Sequence, residues 1–197
     1  MDKTSFRKEA KARLQAMDSD RSGKNASICR NVRELLEKAD TCMLAAYAAM
    51  ETEPVLTSVM SAWLQSGKTL YLPRFNQTSC DYEMVAVQDL STDLVPGHYG
   101  IFEPRGELAG LRPPFHGDGR MMWLIPGLGF DLKGHRLGRG RGYYDRLLNG
   151  ATGMKTGIGY DCQIFDALPY EPHDIGVDYV VTETRIVDCG WQIAPQG

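Results

Sequence analysis

The chain has 197 residues, of which 43% are hydrophobic and 24% charged, and its formal net charge is −3. That length carries one domain with a substantial core, expected to span residues 1–197, and the composition is that of an ordinary soluble globule. So weak a negative charge excludes a global field for nucleic acid or anionic membrane, and any anion site must be a local cluster.

Residues 2–17 read as an amphipathic helix, with Phe6, Ala10, Leu14 and Met17 at helical spacing, and Asp18-Ser19 breaks it. A second helix is predicted over residues 20–39, with Ile28, Val32, Leu35 and Leu36 on one face. Residues 41–48 are short and apolar, which suits a buried strand. Pro54 fits the first turn of a helix running to Ser66, where Gly67 ends it. Strands are predicted over residues 68–72, closed by Pro73, and over 82–87. Residues 91–119 read as one long loop rich in glycine and proline, and loops of that length are usually functional. An apolar strand at 121–125 enters a glycine-rich loop at 127–142, and a short helix follows at 143–148. Strands at 155–160, 178–182 and 185–189 close the pattern, with no internal repeat, low-complexity tract or interdomain linker.

Alternating strands and helices imply a layered α/β domain with a mainly parallel sheet. In such sheets ligands gather outside the carboxyl ends of the strands, which is where the loop at 127–142 begins. The five cysteines, Cys29, Cys42, Cys80, Cys162 and Cys189, form no C-x-x-C pair. They are expected to be reduced and mostly buried, which argues against structural zinc. Without an apolar signal core or a segment of membrane-spanning length, the cytoplasm is the expected compartment.

The most informative stretch runs from Ile125 to Asp145, with six glycines and the basic residues Lys133, Arg136, Arg139 and Arg141. Glycine lets backbone N–H groups approach a ligand closely, and arginine adds a planar fork matched to phosphate oxygens. Together they read as a polyphosphate seat, with Arg146 nearby and Asp145 placed to hold a metal. The loop is neither a Walker A loop nor a dinucleotide fingerprint. Two other readings stay open on residue chemistry alone. The loop could be a merely solvated basic turn, or its Gly-Arg-Gly-Arg-Gly run could bind RNA as part of a nucleotide- or RNA-binding regulator without turnover.

Elsewhere the residues are individually bland. Asp145 would suit a helix N-terminus without any metal, and Glu51 and Glu53 likewise precede the helix expected from Pro54. Lys3 and Arg7 lie on one helix face, where such residues are usually solvated. His98, His116, His135 and His173 show no metal-ligand spacing, and Asp174 alone reads as a loop residue. Trp123, Tyr143 and Tyr144 read as partly core, although a tyrosine could stack on a flat ring. No serine or cysteine carries a signature of covalent catalysis.

Pro126-Gly-Leu-Gly-Phe-Asp131 followed by Gly134-x-Arg-Leu-Gly-Arg-Gly-Arg-Gly-Tyr-Tyr-Asp145 resembles the 5-formyltetrahydrofolate cyclo-ligases, also called 5,10-methenyltetrahydrofolate synthetases. Weaker likeness runs through Lys3-x-x-x-Arg7, Tyr47 with Glu53, Leu72-Pro73, Gly100-Ile-Phe-Glu-Pro104, Gln163, and His173-Asp174 with Asp178. The resemblance implies a three-layer, Rossmann-like α/β fold and an ATP- and Mg²⁺-dependent enzyme acting on a small-molecule folate. It implies that Lys3 and Arg7 reach the ATP phosphates, together with Arg136, Leu137, Gly138, Arg139, Gly140, Arg141, Gly142, Tyr143 and Tyr144. Residues 139–143 would also face the folate, with Arg139, Arg141 and Tyr143 in catalytic roles. Asp145 and Asp174 would serve the metal, Ala48 would line the folate pocket, and Glu53 would contact the pterin, with Glu51 the competing register. No nucleic-acid or membrane partner is expected, and the state is expected to be a monomer or a weak homo-oligomer.

Overall fold

The computed structural model of the chain describes residues 2–17, 19–97, 100–111 and 120–190. His98, His116 and part of the long loop expected at 91–119 lie outside the described residues, as does Asp18 of the expected break. Helix α1 (Lys3–Ala16) starts where the Asp2 carboxylate accepts the Ser5 N–H at 2.8 Å, and it buries Ala10 and Leu14. Helix α2 (Arg21–Lys38) is capped by Asp20 in the same way and buries Ile28, Val32, Leu35 and Leu36.

Strand β1 (Met43–Ala45) is shorter than expected, because residues 46–48 have already left the sheet for the segment that leads to helix α3 (Thr57–Gln65). Pro54 does not open α3. The Tyr47 hydroxyl donates to the Pro54 carbonyl at 2.9 Å, Val55 N–H donates to the Asn25 side chain, and the Cys29 thiol donates to the Val55 carbonyl. Those bonds hold residues 54–55 out of the helix and against α2.

Nor does Pro73 close the next strand. Strand β2 (Thr69–Asn76) runs through it, antiparallel to β3 (Asp81–Val87). The Tyr71 carbonyl faces β1, where it accepts the Ala46 N–H. Two residues on, Pro73 faces the same side beyond the end of the β1 register, so no ladder bond needs its missing N–H. The expected loop at 91–119 carries strands of its own: β4 (Leu94–Pro96) pairs with β5 (Phe102–Pro104), and β6 (Gly110–Leu111) adds to β3. Strand β7 (Met121–Pro126) is followed by a hairpin of β8 (Gly129–Asp131) and β9 (Arg136–Leu137) inside the expected glycine-rich loop. Then come α4 (Tyr143–Leu147), β10 (Met154–Ile158), a 3-10 turn (Asp161–Gln163), β11 (Ile164–Phe165), β12 (Tyr179–Val181) and β13 (Ile186–Asp188).

The main sheet has eight strands in the order β13-β12-β10-β7-β1-β2-β3-β6, and its centre from β12 to β2 is parallel. Alternate residues of the central strands serve opposite faces. Leu44, Met122 and Leu124 pack with α1, α2 and α3, whereas Ala45, Met121, Trp123 and Ile125 pack with Leu147 and Leu148 at the α4 end. The expected three-layer α/β sheet flanked by helices is therefore present. From β1 the chain crosses to β2 on one side, while β7 leads to β10 on the other. The order therefore reverses between β1 and β7, a topological switch point where a crevice forms above the strand carboxyl ends. Among the described residues no helix is long and apolar enough to cross a membrane. All five cysteines are free, but only Cys29 is buried; Cys80 is exposed and the rest are intermediate, so the expected burial fails for four of them.

Candidate functional site

Two segments leave the strands that flank the switch point, and each is fixed before it reaches the crevice. After β1, the chain turns at 50–53, where Glu53 N–H donates to the Met50 carbonyl and the Glu53 carboxylate accepts the Met50 N–H, both at 2.9 Å. Glu53 is 7% exposed and faces the crevice, whereas Glu51 is exposed and, among the described residues, engages only through its carbonyl, which accepts from Arg21. Between the two registers left by the sequence, Glu53 is the one that borders the crevice. It is not a helix-cap charge, since α3 begins four residues later.

After β7, the β8–β9 hairpin is built on Asp131, which is fully buried. Its carboxylate accepts the N–H groups of Lys133, His135 and Leu168 and bonds the His135 ring at 2.8 Å. Gln163 clamps the base of the same hairpin, donating to the carbonyls of Gly127 at 2.7 Å and Leu128 at 3.2 Å. Beyond β9, Arg7 of α1 donates through Nε to the Gly138 carbonyl at 2.9 Å. Gly140 and Gly142 take φ of 98° and 66°, a left-handed backbone that side chains resist, and this winds the chain around the Arg7 guanidinium into α4.

Two cavities result. One, of about 260 Å³, is largely apolar: Tyr47, Ala48, Pro73, Ile101 and Leu147 border it, with the Glu53 carboxylate and Arg139 among them. Tyr143 and Tyr144 stand in its wall as well. The other, of about 690 Å³, is polar, bordered by Lys3, Arg7, Leu137, Gly140, Glu171 and Asp174. Arg136, Gly138, Arg141, Gly142 and Asp145 border both and form a common wall. Lys3, Arg7, residues 136–144, Ala48, Glu53, Asp145 and Asp174, the site residues that the resemblance implied, each border one cavity or both, whereas Glu51 borders neither.

Charge is paired across the site. Arg136 Nη2 lies 2.8 Å from Asp145, Arg139 Nη2 lies 3.0 Å from Glu53, and Lys3 Nζ lies 2.7 Å from Asp174 and 2.8 Å from Glu171. Burial works against the charged form of Lys3, but its bonds to Asp174 and Glu171 outweigh that and leave its pKa raised. Burial likewise opposes ionised Asp174, yet the Lys3 ammonium and the Glu171 N–H hold its pKa below the usual carboxylate value. Burial, and then the nearby Glu53 charge, push the Tyr47 and Tyr144 phenols far up, so both stay protonated.

The residues present fit a metal–polyphosphate. Among the described residues Arg136 Nε is buried with no hydrogen-bond partner, an unsatisfied donor in the common wall that suits an anion. Asp145 and Asp174 supply the hard oxygens that Mg²⁺ prefers, and the Ile175 N–H, next in chain after Asp174, reaches Asp145 at 3.4 Å. Among the described residues one group of three candidate ligand side chains stands together, Glu171, His173 and Asp174. Sequence spacing gave His173 no such neighbours; the turn places its Nε2 3.3 Å from Glu171, although the ring is 75% exposed.

Sequence reasoning missed Met50, Tyr82 and Glu171. Tyr82 borders the apolar cavity and meets Phe75 and Tyr143 edge-on, with ring centroids 5.4 and 5.1 Å away. Alternation in β2 and β3 carried no hint of it, because Phe75 and Tyr82 become partners only through antiparallel register.

Residues 1–183 match the model of the 5-formyltetrahydrofolate cyclo-ligase family. The Escherichia coli K12 5-formyltetrahydrofolate cyclo-ligase is 31% identical over a region covering 70% of this chain and 73% of that protein. The Saccharomyces cerevisiae 5-formyltetrahydrofolate cyclo-ligase is 28% identical, covering 89% of this chain and 92% of its own length. The NMR structure of Aquifex aeolicus 5,10-methenyltetrahydrofolate synthetase superimposes with a TM-score of 0.81 at 30% identity, covering 100% of this chain and 97% of that one. With the motif wrapped around a switch-point crevice and matched along nearly the whole sequence, the chain belongs to the 5-formyltetrahydrofolate cyclo-ligase family.

Proposed function

We propose that the protein cyclises 5-formyltetrahydrofolate to 5,10-methenyltetrahydrofolate with consumption of ATP, as one domain over residues 1–197 working in the cytoplasm. The observation that carries this reading is the common wall: a largely apolar cavity and a polar cavity lined by charged side chains meet at Arg136, Arg141 and Asp145. A folate in the first and a triphosphate in the second would meet there.

The reaction explains why these residue types suffice. The N5-formyl group is a formamide, whose oxygen is a poor leaving group. Transfer of the γ-phosphoryl group to that oxygen releases ADP and leaves an O-phosphorylated formyl group whose carbon is more electrophilic. N10 of the same folate attacks that carbon, the five-membered ring closes, and loss of the N10 proton and of phosphate, which can carry that proton away, leaves the methenyl cation. Ring closure is intramolecular, so orientation in a fitted pocket does most of the work. Phosphoryl transfer asks for charge stabilisation rather than a protein nucleophile.

Arg136 and Arg141 stabilise the transferring group from the common wall, while Lys3 and Arg7 hold the phosphates from α1. Glu53 accepts N–H donors of the pterin, and Tyr143 and Ala48 pack on its ring. Asp145 and Asp174 hold Mg²⁺, which neutralises charge on the phosphate oxygens when bound. The fold rests the glycine-rich run on a clamped hairpin and α1, which does not favour a free RNA-binding segment.

Release of ADP, measured with and without 5-formyltetrahydrofolate, tests the reading, alongside the absorbance of the methenyl product. Folate-dependent ADP release in step with that chromophore is expected. Asp145→Asn, which keeps an oxygen for Arg136 but removes the charge, should lower kcat by roughly 10²-fold or more. ADP release that ignores folate, or salt-sensitive RNA binding without turnover, would overturn it.

A further inference from the structure

Glu53 and Arg139 belong to opposite sides of the crevice, yet they are bonded to each other. Glu53 Oε1 accepts from Arg139 Nε at 3.3 Å and Nη2 at 3.0 Å, and Nη2 also reaches the Thr52 hydroxyl at 3.2 Å. The pair is asymmetric: the Glu53 side chain is 8% exposed and tied to Met50, whereas that of Arg139 is 39% exposed. Glu53 is the held partner of the pair and Arg139 the more exposed one. Arg139 borders the apolar cavity while its chain neighbours Gly138 and Gly140 border the polar one, so its side chain stands where the two cavities adjoin.

We propose that this ion pair is a latch that makes nucleotide and folate binding cooperative. The inference rests on the assignment of the two cavities given above and adds how one controls the other. A triphosphate offers Arg139 several negative oxygens in place of one carboxylate, so the nucleotide draws the guanidinium off Glu53. Glu53 is then a buried charge without its partner, which is unfavourable until new donors arrive. The N–H groups of a pterin are such donors. Folate arriving first must displace Arg139 by itself, and nucleotide arriving first strands Glu53. Each ligand therefore removes the penalty that the other would face, and linkage makes the two effects equal.

The test is calorimetric titration of 5-formyltetrahydrofolate into the full chain, with and without saturating Mg²⁺ and the β,γ-imido analogue of ATP, and the reverse titration. The folate Kd should fall by roughly tenfold or more when the analogue is present, and the analogue Kd by the same factor when folate is present. In Arg139→Met the factor should drop to about 1, because no latch remains to be released. Glu53→Gln, which keeps the acceptor for Met50, should lose the coupling as well and gives a second route if Arg139→Met fails to fold. Independent binding of both ligands to the unmodified chain overturns the latch while leaving the proposed activity standing. Coupling that survives in both variants also overturns it. Failure of either ligand to bind at all overturns the assignment of the cavities itself.

Discussion

Lys3 sits in the first turn of α1, yet its ammonium bonds carboxylates 168 and 171 positions away. Both members of the Lys3–Asp174 pair are shifted toward their charged forms. Asp174, with its pKa depressed in the folded chain, contributes stability above the ordinary carboxylate value of about 3.9 and loses it as pH falls through the depressed one. Lys3, with its pKa raised, contributes below the ordinary lysine value of about 10.4 and loses it as pH climbs past the raised one. A Lys3→Met variant should therefore be less stable by about 1 kcal/mol across a plateau from pH 5 to 9, and the difference should shrink as pH falls below about 4 toward the depressed pKa of Asp174. Urea unfolding of both proteins at each pH measures it; a difference that persisted at the acid end would deny the pair its role. The same residue marks how the site was legible. Arg136, Arg141 and Asp145 are local in sequence, so their chemistry could be read from residue types and spacing. Lys3, Glu53 and Asp174 converge only through the fold, and nothing in their own neighbourhoods distinguishes them from solvated charges; resemblance to a family supplied them. Tyr82 and Glu171 had neither signal.

At the scale of elements, helices α1 and α2 could be read because each repeats its pattern over enough residues to be periodic, and strand β7 because it is a continuous apolar run. Strands β6, β9 and β11 have two residues apiece and β8 three, too short for any alternation. They exist because distant partners supply their ladders, β11 for β8 and β3 for β6. Gln163 shows what holds such an element in place. Buried to 1% exposure, it donates to two carbonyls at the base of the β8–β9 hairpin and accepts the Tyr160 N–H at 2.8 Å. Gln163→Leu would leave those backbone groups unpartnered at a cost of about 2–4 kcal/mol. Gly127, freed at the hairpin base, borders the apolar cavity and not the polar one. The variant should accordingly raise the KM for folate several-fold more than that for ATP. Steady-state kinetics with each substrate varied in turn measures the split, and an equal rise in both would mean that the hairpin loosens as a whole.

For the whole molecule, the polar cavity is assembled from three remote stretches: α1, the run after β9, and residues 171–175. In the chain alone they are joined by the Lys3 bonds to Glu171 and Asp174, the Arg7 bond to Gly138 and the Ile175 N–H bond to Asp145, which itself pairs with Arg136. Both carboxylates proposed for the metal already carry a cation, so Mg²⁺ without phosphate must displace an ammonium or a guanidinium to enter. A nucleotide brings the anions that take those cations over. Thermal unfolding followed by calorimetry separates the cases. Mg²⁺ by itself should move Tm by less than about 1 °C, since a metal that must evict its competitor binds weakly. With Mg²⁺ and the imido analogue at a hundred times Kd, binding contributes about 2.7 kcal/mol. For a chain of this length that corresponds to a rise of roughly 5–10 °C. A shift of that size with Mg²⁺ alone would mean that Lys3 and Arg136 do not hold the metal's place, and that the carboxylates are open to a divalent ion before any nucleotide arrives.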